Sequence, residues 1–137
     1  LLVLSLLVSC SNLNKAAKLK SNEAIDSYNS GIANSKLLQY HRAIQDYNKA
    51  IRLKPDFANA YYNRGSAYYK LGLMQRSIQD YNEAIRLKPD YADAYNNRGI
   101  IYFLQGNKEQ GCRDARKACD LGLCKLLERF KSKGYCR

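Results

Sequence analysis

The chain has 137 residues and a formal charge of +11, a length that suits one domain. The basic excess is uneven: residues 11–22 carry three lysines and no acid, and residues 108–137 carry nine Lys/Arg against four acids. Such ends favour an anionic surface or partner, but the basic residues are not interleaved with aromatics as a base-stacking platform requires, which argues against nucleic acid.

The chain opens with LLVLSLLVS, residues 1–9, an apolar run that ends in small residues before Cys10. Nine helical residues span about 14 Å, too short for a bilayer, and the run reads as the hydrophobic part of a partial signal peptide. Leu7-Val8-Ser9-Cys10 resembles the bacterial lipobox. The resemblance implies cleavage before Cys10, a diacylated Cys10 as the mature N-terminus, and a lipid-anchored protein of the bacterial cell envelope facing the periplasm. Ser11, where an aspartate would imply the inner membrane, implies the outer membrane where one exists. Two acyl chains anchor stably where one binds only marginally. An ordinary cleaved signal peptide and a truncated membrane helix are the alternatives. Residues 11–22, SNLNKAAKLKSN, read as a polar tether or as a basic extension of the first helix.

From residue 24 onward a period of 34 governs the chain. IRLKPD recurs at 51–56 and 85–90, DYNKA at 46–50 becomes DYNEA at 80–84, and YYNRGSAYY at 61–69 becomes YNNRGIIYF at 95–103. A fixed period of this length signals stacked helix pairs. Gly31, Gly65 and Gly99 share one column; glycine inside a helix costs about 1 kcal/mol against alanine, so the column implies close approach of a partner helix. Two more small columns, Ala43/Ser77/Gly111 and Ala50/Ala84/Ala118, alternate with large ones such as Tyr47/Tyr81 and Ile44/Ile78. Ile78, Tyr81, Ala84 and Ile85 form one stripe of a 3.6-residue helix. Pro55 and Pro89 end the second helix of each pair, since proline disfavours helix at the residue before it. Gly72 and Gly106 mark the turn inside a pair.

The middle repeat, with Tyr61, Gly65, Tyr68, Ser77, Tyr81, Ala84 and Pro89, resembles the tetratricopeptide repeat family; only the serine departs. The first repeat has Ser27 and Asn34 where aromatics are usual, and the third has Ala115 and Leu123 in place of an aromatic and the proline. The resemblance implies an all-α fold: a right-handed solenoid of three antiparallel helix pairs at about 24–57, 58–91 and 92–125, followed by a C-terminal capping helix; the cysteines treated below make 123–137 a disulfide-linked cap and tail.

Asn29, Asn63 and Asn97 lie 34 apart, two residues before each glycine. In the family this column sits on the first helix of each pair, which lines the concave face. An asparagine side chain carries both a donor and an acceptor, so it can hold a backbone amide without reading sequence. The column is similar to the asparagine ladder of the repeat domain of O-linked N-acetylglucosamine transferase. Around it Tyr28, Tyr62, Ser66, Tyr69 and Lys70, with Asn96, Ile100 and Phe103, would supply pockets and one charge. A solvated helix face is the plainer reading of the same column.

Cys112, Cys119, Cys124 and Cys136 fall in the last 26 residues. In an exported protein an even set of cysteines pairs. Cys112 and Cys119 are about 10.5 Å apart along one helix, beyond the reach of a disulfide. An antiparallel cap, roughly 123–133, instead brings Cys119 to Cys124 and Cys112 to Cys136. A four-cysteine zinc site is the competitor, but no C-x₂-C pair is present.

No catalytic constellation, phosphate loop or metal-spaced set appears, and no cofactor is called for. His41, the only histidine, reads as a solvated turn residue. Asp46 and Asp80 recur with the repeat and are assigned to pairing with Arg64 and Arg98. The expected function is a membrane-anchored, non-catalytic scaffold that binds an extended peptide segment of an envelope protein in its concave groove. A self-associating envelope protein and an accessory subunit of an enzyme are the alternatives.

Overall fold

The structure, a computed structural model, describes the backbone of residues 2–136 and the side chains of residues 11–136. Regular structure among them is entirely helical: α1 (Leu2–Lys36), α2 (Tyr40–Leu53), α3 (Ala58–Lys70), α4 (Met74–Leu87), α5 (Ala92–Leu104), α6 (Lys108–Asp120) and α7 (Lys125–Ser132). The chain divides into two compact units, Leu1–Asp56 and Phe57–Arg137.

In the first unit α1 packs on α2. Gly31 permits this: a Cβ there would stand 2.5 Å from the Tyr47 ring, and that ring is 1% exposed. Asp46 accepts hydrogen bonds from Ser30 Oγ (2.8 Å) and Asn34 Nδ2 (2.7 Å), and the Tyr47 hydroxyl meets Ser35 at 3.2 Å. The assignment of Asp46 to an arginine is thus corrected: the arginine column holds Ser30 in this hairpin, so neutral donors satisfy the carboxylate. Residues 11–22 are helical and continuous with α1, the second of their two readings. Cys10 and the apolar run before it have side chains outside the described residues. No helix among the described residues is long and apolar enough to cross a membrane.

The turn between α1 and α2 departs from the others. Among the described residues Gly72, Gly106, Gly122 and Gly134 have positive φ, and so does one non-glycine, Leu38, at φ 60°. At the glycine turns the chain closes with paired bonds such as Leu73 N–H to Tyr68 O and Gly72 N–H to Tyr69 O, both 2.9 Å, the pattern in which a left-handed residue ends a helix. Leu38 occupies the same slot, with Gln39 N–H bonding Asn34 O at 2.9 Å. Leucine there carries about 1–2 kcal/mol of left-handed strain, and its side chain is 71% exposed, so it packs little. Leu38→Gly is expected to raise the stability of the first unit by about 1 kcal/mol once glycine's greater chain entropy is subtracted, read as a higher thermal midpoint.

In the second unit α3/α4 and α5/α6 form two hairpins on the same plan. A Cβ on Gly65 would stand 3.1 Å from Asp80 Cβ, and one on Gly99 3.1 Å from Asp114 Cβ. Ile78, Tyr81 and Ala84 of α4 bury against Ala94 and Ile101 of α5; each large side chain withdrawn from water contributes about 1.5–3 kcal/mol. A second cluster joins Cys112 and Ala115 of α6 to Leu126 and Phe130 of α7 and to Cys136. α7 begins at Lys125, later than the 123 expected, because Gly122 (φ 95°) and the Leu123 N–H to Ala118 O bond (2.8 Å) hold the chain in a turn first. Both expected disulfides are present, Cys112–Cys136 and Cys119–Cys124, which leaves none of these sulfurs free as a zinc thiolate.

Arg64 forks onto Asp80 (2.8 and 2.7 Å) and Arg98 onto Asp114 (2.8 and 2.8 Å). Each pair lies within one hairpin, and Asp114, the third member of the aspartate column, takes the partner that Asp80 does not. Each guanidinium also lies near two tyrosine rings: Arg64 over Tyr61 and Tyr68, Arg98 over Tyr95 and Tyr102, at 5.4–5.9 Å. His41 is exposed at the start of α2.

Candidate functional site

Five of the residues singled out above line one cavity of about 240 Å³ in the second unit. Ser66, Tyr69 and Lys70 come from α3, Asn97 and Ile100 from α5, and Tyr81 of α4 forms the back. Helical spacing explains the convergence: Ser66, Tyr69 and Lys70 are three and four apart on one face of α3, and Asn97 and Ile100 are three apart on α5. Tyr81 was legible only as a core column; it reaches the cavity because Ser66 is small, and the two hydroxyls meet at 3.0 Å.

The other candidates lie elsewhere. Asn29, in the first unit, is exposed on α1, and Asn63 is half-buried on α3; neither lines the cavity. Phe103 points away from it, stacked on Phe130 with ring centroids 4.1 Å apart, and belongs to a second pocket beside α7. Asn97 is already engaged. Its Nδ2 donates to the Tyr62 hydroxyl at 3.0 Å, and its Oδ1 accepts from Asn96 Nδ2 at 3.2 Å. Tyr62 is thus bonded to Asn97 and is not itself part of the cavity lining. Nothing in the sequence spacing marks that bond, since its partners are 35 residues apart.

Tyr62 packs beside the rings of Tyr81 and Tyr91, 5.7 and 4.8 Å away. Burial, reinforced by the neighbouring Tyr81 and Asp93, pushes its phenol up to about 12 from the usual 10, against the opposing bond from Asn97. A raised folded-state value stabilises fully below pH 10, where the unfolded phenol is also neutral, and is lost as pH climbs toward 12. The helical signal is expected to fall in that window, and Tyr62→Phe to flatten the fall; pH titration followed by circular dichroism checks it.

Tyr69, Ile100 and Tyr81 offer the cavity apolar surface, and Ser66, Asn97 and Lys70 offer hydrogen bonds and one positive charge. The arrangement can hold a polar chain through its backbone and one side chain. No group of three His, Cys, Asp or Glu poised for a metal occurs among the described residues.

Tetratricopeptide repeat profiles match residues 39–72, 75–106 and 92–121, together more than half of the chain. The chain belongs to the tetratricopeptide repeat family. Its fold is shared with the Arabidopsis OM64 TPR domain (25% identity, TM-score 0.78, covering 84% of this chain and 98% of that one). It is also similar to the first TPR of Spaghetti (RPAP3) bound to HSP90 peptide SRMEEVD (25%, 0.77, 82% and 94%) and to MamA (28%, 0.71, 90% and 68%). No curated protein matches the sequence.

Proposed function

We propose that this chain is a non-catalytic adaptor that grips an extended segment of a partner protein in the groove between α3 and α5. The observation that carries the reading is the convergence of Ser66, Tyr69, Lys70, Asn97 and Ile100 on one cavity, with Asn97 bonded to Tyr62. The peptide-bound state of the similar Spaghetti domain supports it. A bound strand advances about 3.3 Å per residue, so helices about 10 Å apart meet roughly every third residue. Asn97 would exchange its bond to Asn96 for a backbone amide, which leaves its amide donor on Tyr62.

The reading extends to the N-terminus. Diacylation at Cys10 would tether the adaptor to a bacterial envelope membrane, with the exposed Lys15, Lys18 and Lys20 next to anionic headgroups. The partner is then an envelope protein. Labelled palmitate incorporated into the wild type and absent from Cys10→Ser supports the tether; label in both excludes Cys10 as the site.

Asn97→Ala is expected to weaken an extended peptide about fivefold, the loss of one net hydrogen bond at about 1 kcal/mol. Isothermal titration calorimetry of peptides captured from a display library reads it. Unchanged affinity with an unchanged helical signal sinks the groove. Mass measurement at two concentrations tests self-association.

A further inference from the structure

A second cavity of about 240 Å³ opens beside α7. Ile100, Phe103 and Phe130 supply apolar surface, Tyr135 forms one wall, and Arg129 and Lys133 stand at the rim. Ile100 also lines the groove described above, so the two cavities adjoin. The wall is fastened covalently: Tyr135 precedes Cys136, which is buried and bridged to Cys112 of α6. Its ring lies 4.8 Å from that of Phe103 and beneath Lys108 Nζ at 4.9 Å. Neither rim cation is paired with a carboxylate among the described residues.

We propose that this pocket takes one bulky apolar side chain of the bound segment while Arg129 and Lys133 hold a carboxylate next to it, so that the adaptor selects acidic segments bearing a leucine or aromatic residue. The proposal rests on the reading of the groove as a peptide site and adds a preference to it. Size, charge and continuity carry it. The volume lies below the range of about 300–1,000 Å³ in which whole small molecules are enclosed, and it suits a single side chain rather than an acyl chain. Two cations that no described carboxylate pairs, at the mouth of an aromatic cavity, favour an anion attached to an apolar group, and the +11 charge disfavours a second copy of this chain. An extended strand lying along α5 would pass from Asn97 to Ile100 and deliver its next side chain into the pocket.

The test uses the full chain with its disulfides intact and fluorescein-labelled nonapeptides of serine and asparagine. One probe carries a central phenylalanine flanked by two glutamates. Others replace the glutamates by glutamine or lysine, or the phenylalanine by serine, and one ends in phenylalanine with a free carboxylate. The glutamate probe is expected to bind at least tenfold more tightly than its glutamine or serine counterparts. Arg129→Glu with Lys133→Glu, both exposed positions, should abolish that advantage and transfer it to the lysine probe. Tighter binding of the probe with the terminal carboxylate would assign the anion to a chain end; tighter binding of the internal glutamates would assign it to side chains. If all probes bind alike and only Asn97→Ala weakens them, the groove stands and the selective pocket is overturned. If none binds, both fail. A dimer broken by the double charge reversal would also overturn the proposal, by giving the pocket to a second copy.

Discussion

Asp80→Ala is expected to lower the stability of the second unit by about 3–5 kcal/mol, because it strands the Arg64 guanidinium in the interior. The Arg64 and Asp80 side chains are 17% and 7% exposed, and two parallel bonds join them. Burial raises the Asp80 carboxyl above its ordinary value, opposed by the arginine's hydrogen bond and charge. Burial alone would lower Arg64, but the hydrogen bond and charge of Asp80, with Tyr68 and Tyr61, together carry it up. Removal of either partner leaves the other with its desolvation and without its opposite charge. Combining Asp80→Ala with Arg64→Leu should recover most of the loss, since a buried ion pair replaced by apolar groups is often close to neutral. Urea midpoints for the two single variants and the double variant form the cycle. A double variant as unstable as the sum of the singles would show that the pair is not coupled.

The second large effect belongs to the longer disulfide. Cys112–Cys136 spans 24 residues, and the chain-entropy relation assigns a loop of that size about 3 kcal/mol. Cys112→Ala with Cys136→Ala is expected to lower the midpoint accordingly and to free the tail, with faster amide exchange in α7 than in α5. The shorter Cys119–Cys124 bridge, separated by 5 residues, closes a smaller loop and should matter less. The strong test is reduction of the wild type, which should reproduce the loss seen in the double variant. An intact midpoint under reductant, or four free thiols by mass spectrometry, would refute the bridges and return the zinc reading to consideration.

These two effects mark where reading by pattern succeeds. The 34-residue period, the glycine column and the proline stops named the helix pairs, because each of those features acts through local backbone sterics or through packing that repeats in register. The disulfide pairing was legible for the same reason: once α6 and the cap run antiparallel, distance along a helix leaves few options. The Arg–Asp pairs were legible in type, and Asp80 does take Arg64, but Asp46 has no arginine and Asp114, which takes Arg98, was not singled out. Periodicity says that a charge recurs, but it does not say whether its partner lies within a hairpin or in the next one, and the reach of a guanidinium across a glycine contact decides that.

The sequence by itself determined the repeat architecture, its small and large columns, the terminal cysteine bridges and the residue types available for a groove. Only the tertiary structure decided which of those residues share a cavity, that Tyr62 bonds Asn97, that Phe103 belongs to a separate pocket walled by Tyr135, and that Leu38 carries a glycine's conformation. The division has one physical cause. Local propensity and steric register act between neighbours and repeat with the chain, whereas a cavity, a hydrogen bond across 35 residues and the direction of a side chain depend on how whole helices cross.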